Sequence, residues 1–188
     1  MPWASGDTVT SAKLNYRIGS ANNVADPAFG SINTLGGADV AANINSAITH
    51  LVPPTTSARS EGGDVIFPPG EFRVDSPIVV RASSVRLRGF GPQTSVIKPS
   101  SSFSGRAVLV VEPSQGTALF MRDFALSDIG FDMNNVSDVT AIEMRSVRNA
   151  SELRRVNIFN QDGCFLDIST ATHTNAVISE GISAYDTY

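Results

Sequence analysis

The sequence predicts a solenoid of short parallel strands, a parallel β-helix closed at one end by a helix and preceded by an extended arm. Three observations carry this. Beyond residue 60 the chain breaks into β-rich runs of about three to six residues, most of them separated by Gly, Pro, Asn, Asp or Ser. Related blocks recur in the second half: Ile129-Gly130-Phe131-Asp132-Met133-Asn134, Val156-Asn157-Ile158-Phe159-Asn160 and Ala176-Val177-Ile178-Ser179. They lie roughly twenty to twenty-seven residues apart, the spacing of β-helix coils. Hairpin turn signals are nearly missing, with Asp162-Gly163 the one Asn-Gly or Asp-Gly pair. The runs alone also fit a sandwich of hairpins; the recurrence and the turns favour the solenoid.

Taken in order, residues 1–35 read as a polar arm and residues 36–188 as the capped β-helix domain. Within the arm, Asp7 to Asn15 can hold one short helix, with Thr10 as its cap. Asp39 then opens a helix over Val40 to Leu51. Val40, Ile44, Ala47, Ile48 and Leu51 share one face, and Pro53-Pro54 stops it. Ala42, Asn43, Asn45 and Thr49 form a small polar face opposite. The apolar stripe suits the open end of a β-helix core, which must be covered.

Strands are expected at Val65–Phe67, Phe72–Val74, Ile78–Val80, Val85–Leu87, Ser95–Ile97 and Ala107–Val111. They continue at Phe124–Leu126, Ile129–Phe131, Ala141–Met144, Leu153–Ile158, Cys164–Ile168 and Ala176–Ser179. Pro68 and Pro69 cannot donate to a ladder and belong at a corner, with Gly70 permitting the turn after them. Strands stacked at about 4.8 Å give about five coils over roughly 25 Å.

A resemblance sharpens the fold. Gly36-Gly37-Ala38-Asp39 before the helix, then Gly62-Gly63-Asp64-Val65-Ile66-Phe67-Pro68-Pro69-Gly70-Glu71-Phe72-Arg73-Val74, resembles the opening of pectate-lyase-like right-handed β-helix proteins. Ser84-Val85-Arg86-Leu87-Arg88-Gly89-Phe90-Gly91 and Thr94-Ser95-Val96-Ile97 continue it, so that roughly residues 36–135 are covered. Many phage tailspikes and capsule depolymerases share that family. The resemblance speaks for fold more than for activity.

Composition removes several classes. A net charge of −4 without any basic block is unlike a nucleic-acid binder. No apolar run reaches the ~18 residues of a membrane helix, so no membrane insertion is expected. Cys164 is alone, which leaves no internal disulfide and no cysteine metal cluster. The N-terminus has neither a basic region nor an apolar stretch, so no Sec-type signal peptide is expected.

Enzymatic signals are sparse. A glycoside hydrolase needs two carboxylates about 5–9.5 Å apart. Asp128 and Asp132 are the best local candidates, yet four strand residues span about 13 Å. Asp123, Asp138, Glu143, Asp162 and Asp167 can add carboxylates only across coils. Arg154-Arg155 can supply the charge a lyase needs, or simply be solvated turn cations. His50 suits a helix C-terminus, and His173 has no identifiable partner. Cys164, alternating with Leu166 and Ile168, reads as a buried thiol. Asn134, Asn160 and Asn175 can stack as a structural ladder, and Phe159 or Phe165, if exposed, would mark a sugar platform. No metal site and no cofactor are expected.

The segment from Trp3 through Asp7, Val9, Leu14, Asn15 and Tyr16 is similar to the N-terminal arms of phage tail fibres and spikes. That similarity implies docking onto other virion proteins, virion localisation and a homotrimer. The leading expectation is thus a structural virion appendage that attaches to the host surface. The alternatives are a polysaccharide-degrading spike, lyase or hydrolase, and a glycan-binding module that does not cleave.

Overall fold

The computed structural model describes residues 21–29, 37–51, 62–113, 121–148, 151–162, 164, 166–169 and 182–185. The expected docking residues Trp3, Asp7, Val9, Leu14, Asn15 and Tyr16 lie outside these, as do Phe165, His173, Asn175 and the expected strand at 176–179.

Alternating apolar residues dictate the coils. β1 is Ala21–Asn23. The first full coil is β2 (Gly63–Ile66), β3 (Gly70–Val74) and β4 (Ile78–Val80). The second is β5 (Val85–Arg88), β6 (Ser95–Pro99) and β7 (Ala107–Val111). The third is β8 (Met121–Arg122), β9 (Ala125–Ser127), β10 (Gly130–Asp132) and β11 (Thr140–Arg145). The fourth is β12 (Val147–Arg148), β13 (Ser151–Arg154), β14 (Asn157–Phe159) and β15 (Leu166–Ser169). β16 (Ile182–Tyr185) opens a fifth.

The strands stack into three parallel sheets with a short fourth. The first sheet runs β1-β2-β5-β9-β13-β16, the second β3-β6-β10-β14, the third β4-β7-β11-β15, and β8 pairs with β12. This is a right-handed parallel β-helix. Registers are direct, so like stacks on like. Val65, Leu87, Leu126 and Leu153 form one inward column, and Phe72, Ile97, Phe131 and Ile158 a second. Ile78, Leu109, Ile142 and Leu166 form a third. The first-sheet column is buried throughout. In the other two only the fourth-coil members, Ile158 and Leu166, are partly exposed.

The corners explain a departure from the expected strands. Leu153–Ile158 is not one strand, because Arg155 sits at φ 49° and turns the chain between β13 and β14. Asp128 makes the same left-handed turn one coil earlier, at φ 59°. Beside them two glycines allow backbone to touch backbone. A Cβ on Gly89 would lie 2.1 Å from the Asp128 carbonyl oxygen, and one on Gly130 would lie 1.9 Å from that of Pro92.

Helix α1, Ala41–Leu51, starts where the Ala41 N–H donates to Asp39 Oδ1 at 3.0 Å. Its buried stripe of Ala41, Ile44, Ala47, Ile48 and Leu51 joins the core and packs on β1, β2 and β4. Asn45, expected on the polar face, instead ties the helix to the first coil. Its Nδ2 donates to the Pro77 carbonyl at 3.0 Å, and its Oδ1 accepts from the Val79 N–H at 2.8 Å. Both bonds satisfy groups at the edge of β4 that no strand pairs on that side.

Part of the expected arm belongs to the β-helix. Ala21–Asn23 pairs with Asp64–Ile66, and Asn22 Nδ2 donates to the Ala47 carbonyl at 2.9 Å. The free edge of β2 needed partners, and a strand bond satisfies them at little cost. Two further expectations are corrected. Cys164 is exposed rather than buried, because it precedes β15 in the turn. Asn134 and Asn160 do not stack on each other: Asn134 Nδ2 reaches the Pro99 carbonyl, while Asn160 Nδ2 reaches Asp132.

Candidate functional site

Outward-facing charges on adjacent coils form three clusters. On the second sheet Lys98 Nζ lies 3.0 Å from Asp132 and 3.5 Å from Glu71. Asn160 Nδ2 donates to Asp132 Oδ1 at 2.7 Å, and the Asn134 backbone N–H to the same oxygen at 3.1 Å. Phe159 is half-buried beside them, its ring 3.5 Å from where a Gly130 Cβ would be. On the third sheet charges alternate across coils. Arg81 meets Glu112 at 2.9 Å, Glu112 meets Arg145 at 3.0 Å, and Arg145 meets Glu143 at 2.6 Å. Arg106 closes the run on Glu143. Glu143 lies between Ile142 and Met144, both in the core, so it points outward; the two arginines cover it almost completely.

The corner between the first and second sheets carries the third cluster. Arg155 grips Asp128 with two bonds, Nε at 2.5 Å and a terminal nitrogen at 2.8 Å. This fork-on-fork pairing stacks two corners that lie 27 residues apart in sequence.

The two candidate carboxylates therefore sit at opposite ends of β10, each with its own cation. The Arg155 guanidinium holds Asp128 below the ordinary carboxylate value despite burial, helped by Arg154 and Arg88. Burial pushes Asp132 upward, but the Asn160 amide, Lys98 and the Asn134 N–H outweigh it, so it too lies low. Lys98 is raised in turn, chiefly by its bond to Asp132. A glycosidase acid must hold a proton near neutral pH, which requires a raised carboxylate. Neither aspartate is so placed.

Three other sequence candidates, Arg154, Arg155 and His50, are placed as well. Arg154 lies 3.4 Å from Glu152, and Arg155 is the corner residue just described. His50 is exposed in the last turn of α1. Among the described residues no group of three or more His, Cys, Asp or Glu side chains can hold a metal ion. No described helix is long and apolar enough to cross a membrane. The Glu143 cluster went unseen in sequence because its members are brought together only by the coil register; Arg106 and Glu143 are 37 residues apart.

Comparison with known proteins places the fold. The model of the family described as "Rhamnogalacturonase A/epimerase, pectate lyase-like" matches residues 22–185, and the chain belongs to this pectate-lyase-like family. Among solved structures, ORF18 of Geobacillus virus E2 is 25% identical with a TM-score of 0.65, over 77% of this chain and 27% of that one. The pre-mature gene product 12 of bacteriophage phi29 is 20% identical, TM-score 0.55, over 72% of this chain and 17% of its own. The A-module of mannuronan C-5 epimerase AlgE4 from Azotobacter vinelandii is 23% identical, TM-score 0.59, over 80% of this chain and 41% of its own. The chain thus spans about a quarter or less of the two phage proteins. No curated protein sequence matches it.

Proposed function

We propose that the chain is a structural part of a bacteriophage virion appendage whose β-helix meets host-surface polysaccharide. Its N-terminal residues, Trp3 to Tyr16 among them, dock onto other virion proteins, and three copies assemble. The likeness to the phage product ORF18 is the observation that carries this reading. The locked state of Asp128 and Asp132 supports contact with glycan without cleavage.

Light scattering tests the assembly, on the full chain and on a chain starting at Ala21 so that β1 is kept. A stable trimer in both forms supports the appendage, with residues 1–20 left for docking. A monomer in both forms overturns it. The second reading is a polysaccharide-degrading lyase or hydrolase, favoured by the family match. Release of new reducing ends or unsaturated uronates from acidic polysaccharides would establish it; under the first reading neither forms.

A further inference from the structure

The corner between the first and second sheets changes length along the molecule. Six residues, 89–94, join β5 to β6, against three in the first coil (67–69) and two in each of the third and fourth (128–129 and 155–156). The inward columns stay in register across all four coils, so the extra residues of the second coil project outward. The projection is braced. The Phe90 N–H donates to Ser95 Oγ at 3.0 Å, and Ser95 Oγ donates to the Phe67 carbonyl at 2.8 Å. The Gly91 N–H donates to the Asp128 carbonyl at 3.0 Å, and the Gly70 N–H to the Thr94 carbonyl at 2.8 Å.

Its surface is apolar and uncharged. Phe90 is 64% exposed, the one large hydrophobic so exposed among the described residues. Pro69, one coil earlier, is exposed as well, and Pro92 and Val96 are half-buried. No charged side chain occurs in residues 65–70 or 89–97. Charges stand on the two flanks instead, and their signs differ. On the first-sheet side Arg88 is exposed and acts on Asp128 through space. On the second-sheet side the first outward residue is Glu71, its side chain 41% exposed and 3.5 Å from Lys98.

We propose that this ridge, with Phe90 at its crest, is the surface through which copies of the chain associate. An exposed aromatic on a rigid support is unfavourably hydrated until another surface covers it. A small ligand would ask for a concavity, whereas the ridge is convex. The opposed flanks select a second copy as the partner. Around a rotation axis the Arg88 side of one chain meets the Glu71 side of the next. The phenylalanines of the copies then converge beside the axis. This rests on the proposed assembly of three copies and names the surface that makes it.

The test is light scattering of the full chain over a concentration series, joined to cross-linking. The wild type associates, and Phe90→Asp weakens association by about tenfold or more with an unchanged circular dichroism spectrum. Arg88→Gln and Glu71→Gln each weaken it, and the double variant is no worse than either alone, as a pair requires. Cross-linking decides the matter even where Phe90→Asp fails to fold. In a Cys164→Ser background, Gln93→Cys beside the crest forms a disulfide-linked dimer on mild oxidation, whereas Arg122→Cys, on the corner before the first sheet, does not. Wild-type association in Phe90→Asp, additive losses in the double variant, or no cross-link from Gln93→Cys overturns the ridge; a wild-type trimer then keeps the appendage. A wild type that stays monomeric at every concentration overturns the ridge and the three-copy assembly together, and leaves Phe90 to a glycan or another virion protein. A wild-type dimer that cross-links through Gln93→Cys keeps the ridge and removes the threefold assembly.

Discussion

Asp128 and Asp132 release their protons more readily in the folded chain than in the unfolded one, and acid should expose this. Each lies below its ordinary value of 3.8. Their contribution to stability is therefore complete above that value and is lost as the pH falls through the lower folded-state values. We expect the melting temperature to drop as the pH falls below about 4, and to drop less in Asp128→Asn and Asp132→Asn. A drop of the same size in both variants would contradict the assignment. Glu143 offers a second case. Removing its carboxylate in Glu143→Gln leaves Arg106 and Arg145 facing a weaker acceptor. Both cations keep some water, so the cost is about 1–2 kcal/mol, read from denaturant unfolding. Such residue-level partners were hidden in sequence, since Asp132 meets Lys98 and Asn160 only once the coils are in register. What remained legible was that the neighbours of Asp132, Phe131 and Met133, point inward, which left the carboxylate outside.

Strands that are apolar throughout, such as Ile78–Val80 and Ala107–Val111, match their expected bounds to the residue. Where a charged residue takes a left-handed corner, as Arg155 does, composition signals a continuing strand and the structure turns. β1 escaped notice because three residues of Ala and Asn carry no strand pattern; only the free edge of β2 calls for them. Helix α1 was legible from its apolar stripe, but not the clamp that Asn45 makes on its flank. Asn45→Ala strands the Val79 N–H and the Pro77 carbonyl at a half-buried edge, and should cost about 1–3 kcal/mol in thermal unfolding. Asn45→Asp keeps the acceptor and should recover part of the loss. Gly130→Ala brings a methyl against the Pro92 carbonyl, and the turn must move to admit it. A loss of about 1–3 kcal/mol is expected for such overpacking; an unchanged midpoint would show that the corner gives way freely.

Every described strand pairing in the molecule is parallel, and apart from β1 with β2 none links strands adjacent in sequence. Closing such pairs costs loop entropy before any contact rewards it. Refolding should accordingly be slow for a chain of this size, on the order of seconds rather than milliseconds in stopped-flow far-ultraviolet circular dichroism. A millisecond phase that recovers all the signal would contradict this. Fold class was readable from the whole chain because coil periodicity is a global property, while the charged faces are sums of single residues from different coils.

The direct register of the columns carries one more consequence, for how such a molecule changes over generations. Loops absorb extra residues, since Val65, Leu87, Leu126 and Leu153 stay level although 22, 39 and 27 residues separate them. A residue inserted within a strand would throw that strand out of its column, whereas a whole added turn would leave each neighbour facing its like. Growth is therefore restricted to complete turns, each adding about 4.8 Å of reach. Length in this architecture is a ladder with fixed rungs, and selection can choose only how many.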